Sequence, residues 1–327
     1  MRRCIVCAAD MLGPSERHLI YPGGQRRAFP LACGSCGLLL ETEADAQTCR
    51  AHLARSLSAP VFVSDPEAPY GLDLYTLRSA ATRHGRGTRP LDAAGHAELR
   101  HPHGTRAARA AMFALGSSGG SPVSLGLLCR RADRNDVLAA LTIHAGWADD
   151  VAILIDGPEM AAVPVPVAGF GEGAVRVAAR PLDGDFAAQR NTLQALARHA
   201  WMLQLDSDEA LGPETGLLLP ALAALADAQG VVSIGLGRAN RVDGVLSDVF
   251  PDVQYRLNRT SLRYVGRVHE RPVPDGGWPS SFITLHGLIE HRLSLAHVQA
   301  RSRRYEALDP GRGRPEEAVA LLRPYAE

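Results

Sequence analysis

The sequence predicts an α/β protein with a mainly parallel central sheet, preceded by a small metal-stapled module. Three observations carry this expectation. From about residue 120 onward, apolar strand-like runs alternate with helix-like stretches, the pattern of βαβ units. Two of those runs, Val151-Ala-Ile-Leu-Ile155 and Trp201-Met-Leu-Gln-Leu205, stop abruptly on aspartates, Asp156 and Asp206. Near the N-terminus stand two Cys-x-x-Cys pairs, Cys4-Ile-Val-Cys7 and Cys33-Gly-Ser-Cys36.

Composition narrows the class. A chain of 327 residues accommodates one large α/β domain plus a small module. The formal net charge is zero, so nothing draws the whole molecule toward nucleic acid or an anionic membrane. No apolar run reaches membrane-spanning length and no signal-peptide core opens the chain, so a cytoplasmic enzyme without a membrane span is expected. All 35 basic residues are arginine, which with the abundant Ala, Gly and Pro points to coding bias in a GC-rich genome. The sequence leaves the oligomeric state open.

The two cysteine pairs, separated by 25 residues, read as a tetrahedral zinc site, because each pair delivers two thiolates from one tight turn. Gly34 and Gly37 suit a turn whose amides fold around sulfur. Two disulfides are disfavoured in a reducing compartment, and a redox pair needs no second Cys-x-x-Cys. A four-thiolate site has no open position, so its role is folding or docking. Arg2, Arg3, Arg26 and Arg27 flank it and offset its negative charge. Cys129 reads as a small buried hydrophobe. The module is expected to span 1–45.

Residues 46–119 read as a connecting region with little periodicity. Val61-Phe-Val63 suits a short strand, Asp73–Ala81 a short helix and Ala107–Leu115 another. His84, His96, His101 and His103 lack ligand spacing and read as solvated surface. Gly116–Ser121 reads as a flexible linker and a domain boundary.

The following domain is expected over 120–305, with a short polar tail over 306–327. Val123–Cys129 is its first strand, and Asp133 or Asn135 can cap a helix running to about Trp147. Ala174–Ala179 is a further strand, and Asp185 caps a helix from Phe186 to His199. Pro213 suits the first turn of the next helix, which Pro220 should end or kink. Val231–Leu236 is another strand, and from Val253 the texture shifts to short strands rich in Arg, Tyr and His. Gly169-Phe-Gly-Glu-Gly173 precedes a strand rather than a helix, which argues against a dinucleotide loop.

Trp201-Met-Leu-Gln-Leu-Asp206-Ser-Asp208-Glu209 is the stretch with chemical content. An Asp-x-Asp spacing arises freely by chance; its weight here comes from its place at a strand end, where open α/β sheets bind ligands. Hard divalent cations take such carboxylates together with substrate phosphates. Ala210 and Leu211 exclude a calcium loop, and the plain alternative is helix capping by Asp208 or Glu209.

Three neighbours change its weight. Asp185-Phe-Ala-Ala-Gln-Arg190-Asn191 leads into it, Tyr264-Val-Gly-Arg267-Val-His269-Glu270 follows, and Ile289-Glu-His291 comes later. This succession, covering about Pro122 to Tyr305, resembles the family 2 glycosyltransferases with a GT-A fold. The resemblance implies a central sheet with helices on both faces and a nucleotide-sugar donor. It implies that Asp206 and Asp208, completed by His291, hold Mn²⁺ or Mg²⁺ against the donor diphosphate. Asp156, Arg190, Asn191 and Arg267 would contact or brace the donor. Glu270 or His269 would take the acceptor proton in an inverting displacement. Asp156-Gly-Pro-Glu159 replaces the family's Asp-Thr-Gly-Ser, and Arg130-Arg-Ala-Asp133 its Lys-Asn-Glu. The acceptor is unidentified: small molecule, peptide or protein, glycan or nucleic acid. Two other readings stay open. One is a nucleotidyltransferase using the same carboxylates. The other is a zinc-ribbon binding protein with a degenerate transferase domain, docking a nucleic acid or a carrier protein.

Overall fold

The computed structural model describes residues 3–117 and 119–326. Arg2 and Ser118 therefore lie outside the described residues. The N-terminal part contains β1 (Leu12–Pro14), β2 (His18–Ile20), β3 (Arg26–Ala28), β4 (Leu31–Cys33), β5 (Leu39–Leu40), α1 (Ala46–Ser58), β6 (Val61–Val63), β7 (Tyr70–Gly71), α2 (Leu74–Thr82), β8 (Arg86–Pro90), α3 (Ala93–Glu98) and β9 (Arg109–Ala114). All three helices begin on aspartate caps: Asp45, Asp73 and Asp92 accept hydrogen bonds from Thr48, Thr76 and Gly95 amides.

One apolar core joins the cysteine pairs to the residues after them. Cys4, Cys7, Cys33, Cys36 and Leu38 pack with Leu53 and Leu57 of α1, Leu74 and Leu77 of α2, and Ala110 and Met112 of β9. The module is thus built into a larger unit that reaches at least to residue 112. The helix expected over Ala107–Leu115 is instead the strand β9, flanked by β6 and β8 in a three-stranded sheet. Its burial alternates, with Ala108, Ala110 and Met112 inward and Arg109 out; strand pairing has overridden the helical preference of alanine.

The second part holds β10 (Val123–Arg130), α4 (Arg134–Ala140), β11 (Val151–Asp156), β12 (Met160–Pro164), β13 (Val175–Arg180), α5 (Phe186–Ala195), β14 (Trp201–Asp206), β15 (Glu209–Leu211), α6 (Pro213–Ala228), β16 (Ser233–Val242), β17 (Val245–Leu246), β18 (Asp252–Arg259), β19 (Arg263–Val265), β20 (Arg271–Val273), β21 (Ser281–Leu293), α7 (Leu295–Leu308) and α8 (Pro315–Leu321). Its sheet runs β12-β13-β11-β10-β14-β18-β16-β21-β15, with β17 paired to β16. The expected mainly parallel sheet is mixed. Four neighbouring strands, β13, β11, β10 and β14, are parallel. From β18 onward the pairing is antiparallel except between β16 and β21; β16 and β18 are joined through β17 without a crossover helix, which leaves them antiparallel.

Helices cover both faces. Val137 and Leu141 beside α4 and Leu219 and Leu222 of α6 pack on Val123, Leu125 and Leu127. Leu193 of α5 packs on Ala152, Leu154 and Met202 from the other side. The helix with Pro213 in its first turn continues through Pro220 to Ala228. Leu219, Leu222 and Ala226, all buried in the core, hold the turn where the proline lacks its amide. Neither Asp133 nor Asn135 caps α4 through its side chain; Asp133 is taken by Arg130, at 2.8 and 3.0 Å. Among the described residues no helix is long and apolar enough to cross a membrane.

The two parts are stitched together. Tyr75 Oη of α2 donates to the Ser281 carbonyl at 2.7 Å, and the Leu285 amide donates to Thr82 Oγ1 at 2.8 Å. Arg78, fully buried, lies over the rings of Tyr75 and Phe282. At the chain's other extreme, Arg3 donates to the carbonyls of Ala8, Phe250 and Ala326 and to Asp248, and lies over the Tyr325 ring.

Candidate functional site

The parallel strands β13, β11, β10 and β14 stand in the order third, second, first, fourth. Strand order reverses between β10 and β14, and such a switch point leaves a crevice at the carboxyl ends of the strands. A cavity of about 950 Å³ opens there. Arg130, Asp156 and Asp206, the last residues of β10, β11 and β14, line it together with Asp208, Glu270 and His291.

Alternation along β14 decides what Asp206 meets. Trp201, Leu203 and Leu205 face the main core, so Met202, Gln204 and Asp206 face α5. On α5, Arg190 shares a side with Leu193 and Gln194, the residues turned to the sheet. Arg190 Nη2 therefore donates to both oxygens of Asp206, at 2.9 and 3.0 Å, and its Nε donates to Glu270 at 2.5 Å. A second buried arginine, Arg256 of β18, donates to Asp206 Oδ2 at 2.8 Å and to Glu209 at 3.3 Å. A third, Arg238 of β16, donates to Glu209 at 2.8 Å and to Asp252 through Nε at 3.1 Å. Glu209 also accepts from the Asp206 amide at 3.1 Å. It is buried inside β15, so the helix-capping reading of Asp208 or Glu209 does not hold; Gly212 precedes α6.

Burial alone would raise the Asp206 carboxyl; Arg190 first and Arg256 next outweigh it and hold it well below the usual carboxylate range. Asp252 is brought down to about 2: desolvation opposes ionisation, and Arg238 overcomes it. Asp208 is also lowered, because the hydrogen bond and charge of His291 exceed its desolvation.

Asp208 is held differently from Asp206. Its Oδ2 lies 3.4 Å from Nε2 of His291, which is 3% exposed. In register, His291 of β21 stands opposite Glu209 of β15 and Asn240 of β16. Asp208 and His291 face each other across the cavity floor, while Asp206 is engaged by arginines. Among the described residues, the only group of three or more closely spaced metal-ligating side chains is the cysteine cluster.

Glu270 and His269 lie on the turn between β19 and β20. Gly266 has φ +99°, and a Cβ there would press on the Val268 carbonyl at 3.3 Å. His269 itself is left-handed, φ +52°. Asn191 clamps this turn: its Nδ2 donates to the Tyr264 carbonyl at 2.9 Å and its Oδ1 accepts from the Tyr264 amide at 2.8 Å. The Phe186 amide donates to the Arg267 carbonyl at 3.0 Å. The helix-start motif and the Gly-Arg-Val-His-Glu segment are therefore one hydrogen-bonded unit. Asn191 and Arg267 lie outside the cavity lining, and Arg267 is exposed. His269 Nε2 donates to the Arg312 carbonyl at 2.8 Å and its ring packs edge-on to Tyr305; desolvation lowers its pKa. Asp156 is exposed at the cavity edge and accepts from the Leu182 amide at 3.0 Å.

Several lining residues were not singled out from sequence: Arg238, Asp252, Arg256, and Arg301, Tyr305, Arg314 and Glu317 of the C-terminal helices. A signal exists for the strand residues. Asp252, Gln254, Arg256 and Asn258 recur at every second position of β18, a polar face that a buried strand carries only where it meets other polar groups. The stretch expected as a short polar tail holds the end of α7 and all of α8, and its Arg314 and Glu317 line the cavity.

The four cysteines at the N-terminus are all buried, unpaired by disulfides, and their sulfurs lie within 4.8 Å of one another. Cys4–Cys36 and Cys7–Cys33 sulfurs are 3.6 Å apart. Four sulfurs bound at about 2.3 Å around a tetrahedral ion would stand about 3.8 Å apart, so the cluster fits zinc. Gly37 turns with φ +87° against Thr76. His84, His96, His101 and His103 are exposed and none joins the cluster as a closely spaced ligand, although the His103 ring lies against Gly37.

No family model matches the chain, and no curated protein is similar to it at a significant level. Among solved structures it is similar to the Staphylococcus aureus glycosyltransferase TarS, with a TM-score of 0.33 and 10% identity, covering 61% of this chain and 42% of that one. The chain thus spans less than half of that TarS structure. The TarS 1–349 complex with UDP gives a TM-score of 0.35 and TarS 1–349 alone 0.32, each at 10% identity over 61% of this chain and 70% of that one. At such scores the likeness is partial, and the reading of the site rests on its own residues.

Proposed function

We propose that this chain is a metal-dependent glycosyltransferase that moves a sugar from a nucleotide-sugar donor to an acceptor hydroxyl by inverting displacement. The observation that carries the reading is the Asp208–His291 pair, 3.4 Å apart, which lines the same crevice as Glu270 at the switch point of the sheet. The order of the four motifs in the sequence supports it.

Asp208 and His291 would hold Mn²⁺ or Mg²⁺. The cation supplies Lewis-acid neutralisation of the charge that grows on the departing nucleoside diphosphate. Asp206 braces the floor through Arg190 and Arg256. Asp156, exposed at the end of β11, is placed for the nucleoside. Glu270 takes the acceptor proton as the new bond to the anomeric carbon forms and the bond to the diphosphate oxygen breaks. Glu270 fits this role better than His269, whose Nε2 is committed to Arg312. Arg190 fixes the Glu270 carboxylate in place.

The test is a thermal-shift screen of nucleoside diphosphates and nucleotide sugars with and without Mn²⁺, followed by turnover of the stabilising donor. Binding to the native state alone raises the melting temperature. Asp208→Ala is expected to remain folded without metal and lose Mn²⁺-dependent turnover. Unchanged turnover in that variant would overturn the assignment.

A further inference from the structure

We propose that Asn240 is the positioning residue that fixes the ring of His291 as a metal ligand, resting on the reading above that Asp208 and His291 share a cation. The orientation of Asn240 is determined by its surroundings. Its Nδ2 faces two groups that only accept, Asp252 Oδ2 at 3.0 Å and the Val249 carbonyl at 3.5 Å. Its Oδ1 must then face His291, and it lies 2.7 Å from Nδ1. An amide oxygen cannot donate, so Nδ1 of His291 carries the proton. That contact turns Nε2 toward Asp208 Oδ2, 3.4 Å away.

With Nδ1 held by Asn240, Nε2 is the ring nitrogen left to take a cation beside Asp208. The ring is otherwise enclosed. His291 and Asn240 are 3% and 0% exposed, so water does not replace the Asn240 contact. Asp252 is itself anchored by Arg238, which reaches Glu209. The line Arg238–Asp252–Asn240–His291–Asp208 thus runs from the buried sheet to the cavity, each member setting the orientation of the next. Partners of this kind around a ligating histidine raise metal affinity by fixing tautomer and ring angle.

The inference separates Asn240 from a residue that merely fills the core. Mn²⁺ affinity is measured by calorimetry on the full chain for wild type, Asn240→Leu, His291→Ala and the double variant, with the metal-free melting temperature of each. Asn240→Leu is expected to bind Mn²⁺ about ten- to a hundredfold more weakly, while adding it to His291→Ala weakens binding no further. Wild-type affinity in Asn240→Leu overturns the inference and leaves the glycosyltransferase reading standing. So does an equal loss in the His291→Ala background. Absence of Mn²⁺ binding in the wild type overturns both.

A measurement on the unaltered protein keeps the inference testable where Asn240→Leu does not fold. Long-range ¹H–¹⁵N correlation with saturating Mg²⁺ is expected to show His291 protonated at Nδ1 and bare at Nε2. A proton on Nε2, alone or with one on Nδ1, overturns it.

Discussion

Arg190 and Asp206 are joined through both carboxylate oxygens, and the same guanidinium holds Glu270. Arg190 is 2% exposed, while the Asp206 side chain keeps 32% of its surface open toward the cavity. Removing one partner leaves buried charge uncompensated. Arg190→Met is expected to cost about 3–5 kcal/mol of stability and to abolish turnover. Arg190→Lys restores the charge but not the fork, and should recover part of the stability and little of the activity. Denaturant melts and turnover rates, measured side by side, check this; a fully active Arg190→Lys would show that the planar geometry is not needed.

The pH dependence of stability follows from the same network. Asp206, Asp208 and Asp252 are all lowered in the folded protein, Asp252 to about 2. Their stabilisation is present above the unfolded carboxylate pKa of about 4 and is lost as pH falls through the folded values. Stability should therefore drop steeply between about pH 4 and pH 2. Asp252→Asn should remove about 2 kcal/mol of that dependence. Acid titration followed by circular dichroism reads it directly, and an unchanged slope would argue against the Arg238–Asp252 pairing.

The cysteine cluster is expected to retain about one zinc per chain. Cys33→Ser should lose it, while Cys49→Ser, buried nearby but outside the cluster, should not. Because Cys4, Cys33 and Cys36 share a core with Leu53, Leu57 and Leu77, chelation should unfold more than the metal loops. Deleting residues 1–45 should give an insoluble chain rather than a shortened enzyme. Metal analysis and hydrogen exchange over residues 46–112 check both outcomes; protection unchanged by chelation would mean that the metal is dispensable to that core.

Asp156 makes one hydrogen bond to the Leu182 amide and is exposed. Asp156→Ala should leave the melting temperature within about 1 °C, since surface changes of this kind stay within about 0.5 kcal/mol. It should also weaken nucleotide binding about tenfold, as expected for a lost charge-assisted hydrogen bond. A thermal-shift titration separates the two effects.

Much of this was legible in the sequence, and the exceptions have physical causes. Cysteine spacing, strands ending on aspartates and the Asp185 cap are local signals, and the structure places them as expected. The strand at Ala107–Leu115 was misread because only β6 and β8, distant in sequence, tell it that alternate residues are inward. Pro220 is carried by packing that no local rule registers. The carboxylates of the Asp-x-Asp stretch stand out one by one in the sequence, yet their different surroundings do not. Asp206 meets Arg190 and Arg256 from α5 and β18, whereas Asp208 meets His291 from β21. That division arises only when three elements converge. Asn240 reads as one more polar residue in a strand until Asp252 and His291 flank it.

Arg3 gives the fold a timing constraint. Its partners at Asp248, Phe250 and Ala326 lie between 245 and 323 positions downstream. On the ribosome, the four cysteines beside Arg3 are all available after a few dozen residues have emerged. The docking surface of Arg3 does not exist until nearly all of this sequence has been made. During that interval the Arg3 guanidinium has only the Ala8 carbonyl among these partners, and the early unit is the kind of nascent intermediate that chaperones hold. Slow synthesis over the last third of the chain should thus bear on yield more than slow synthesis at its start.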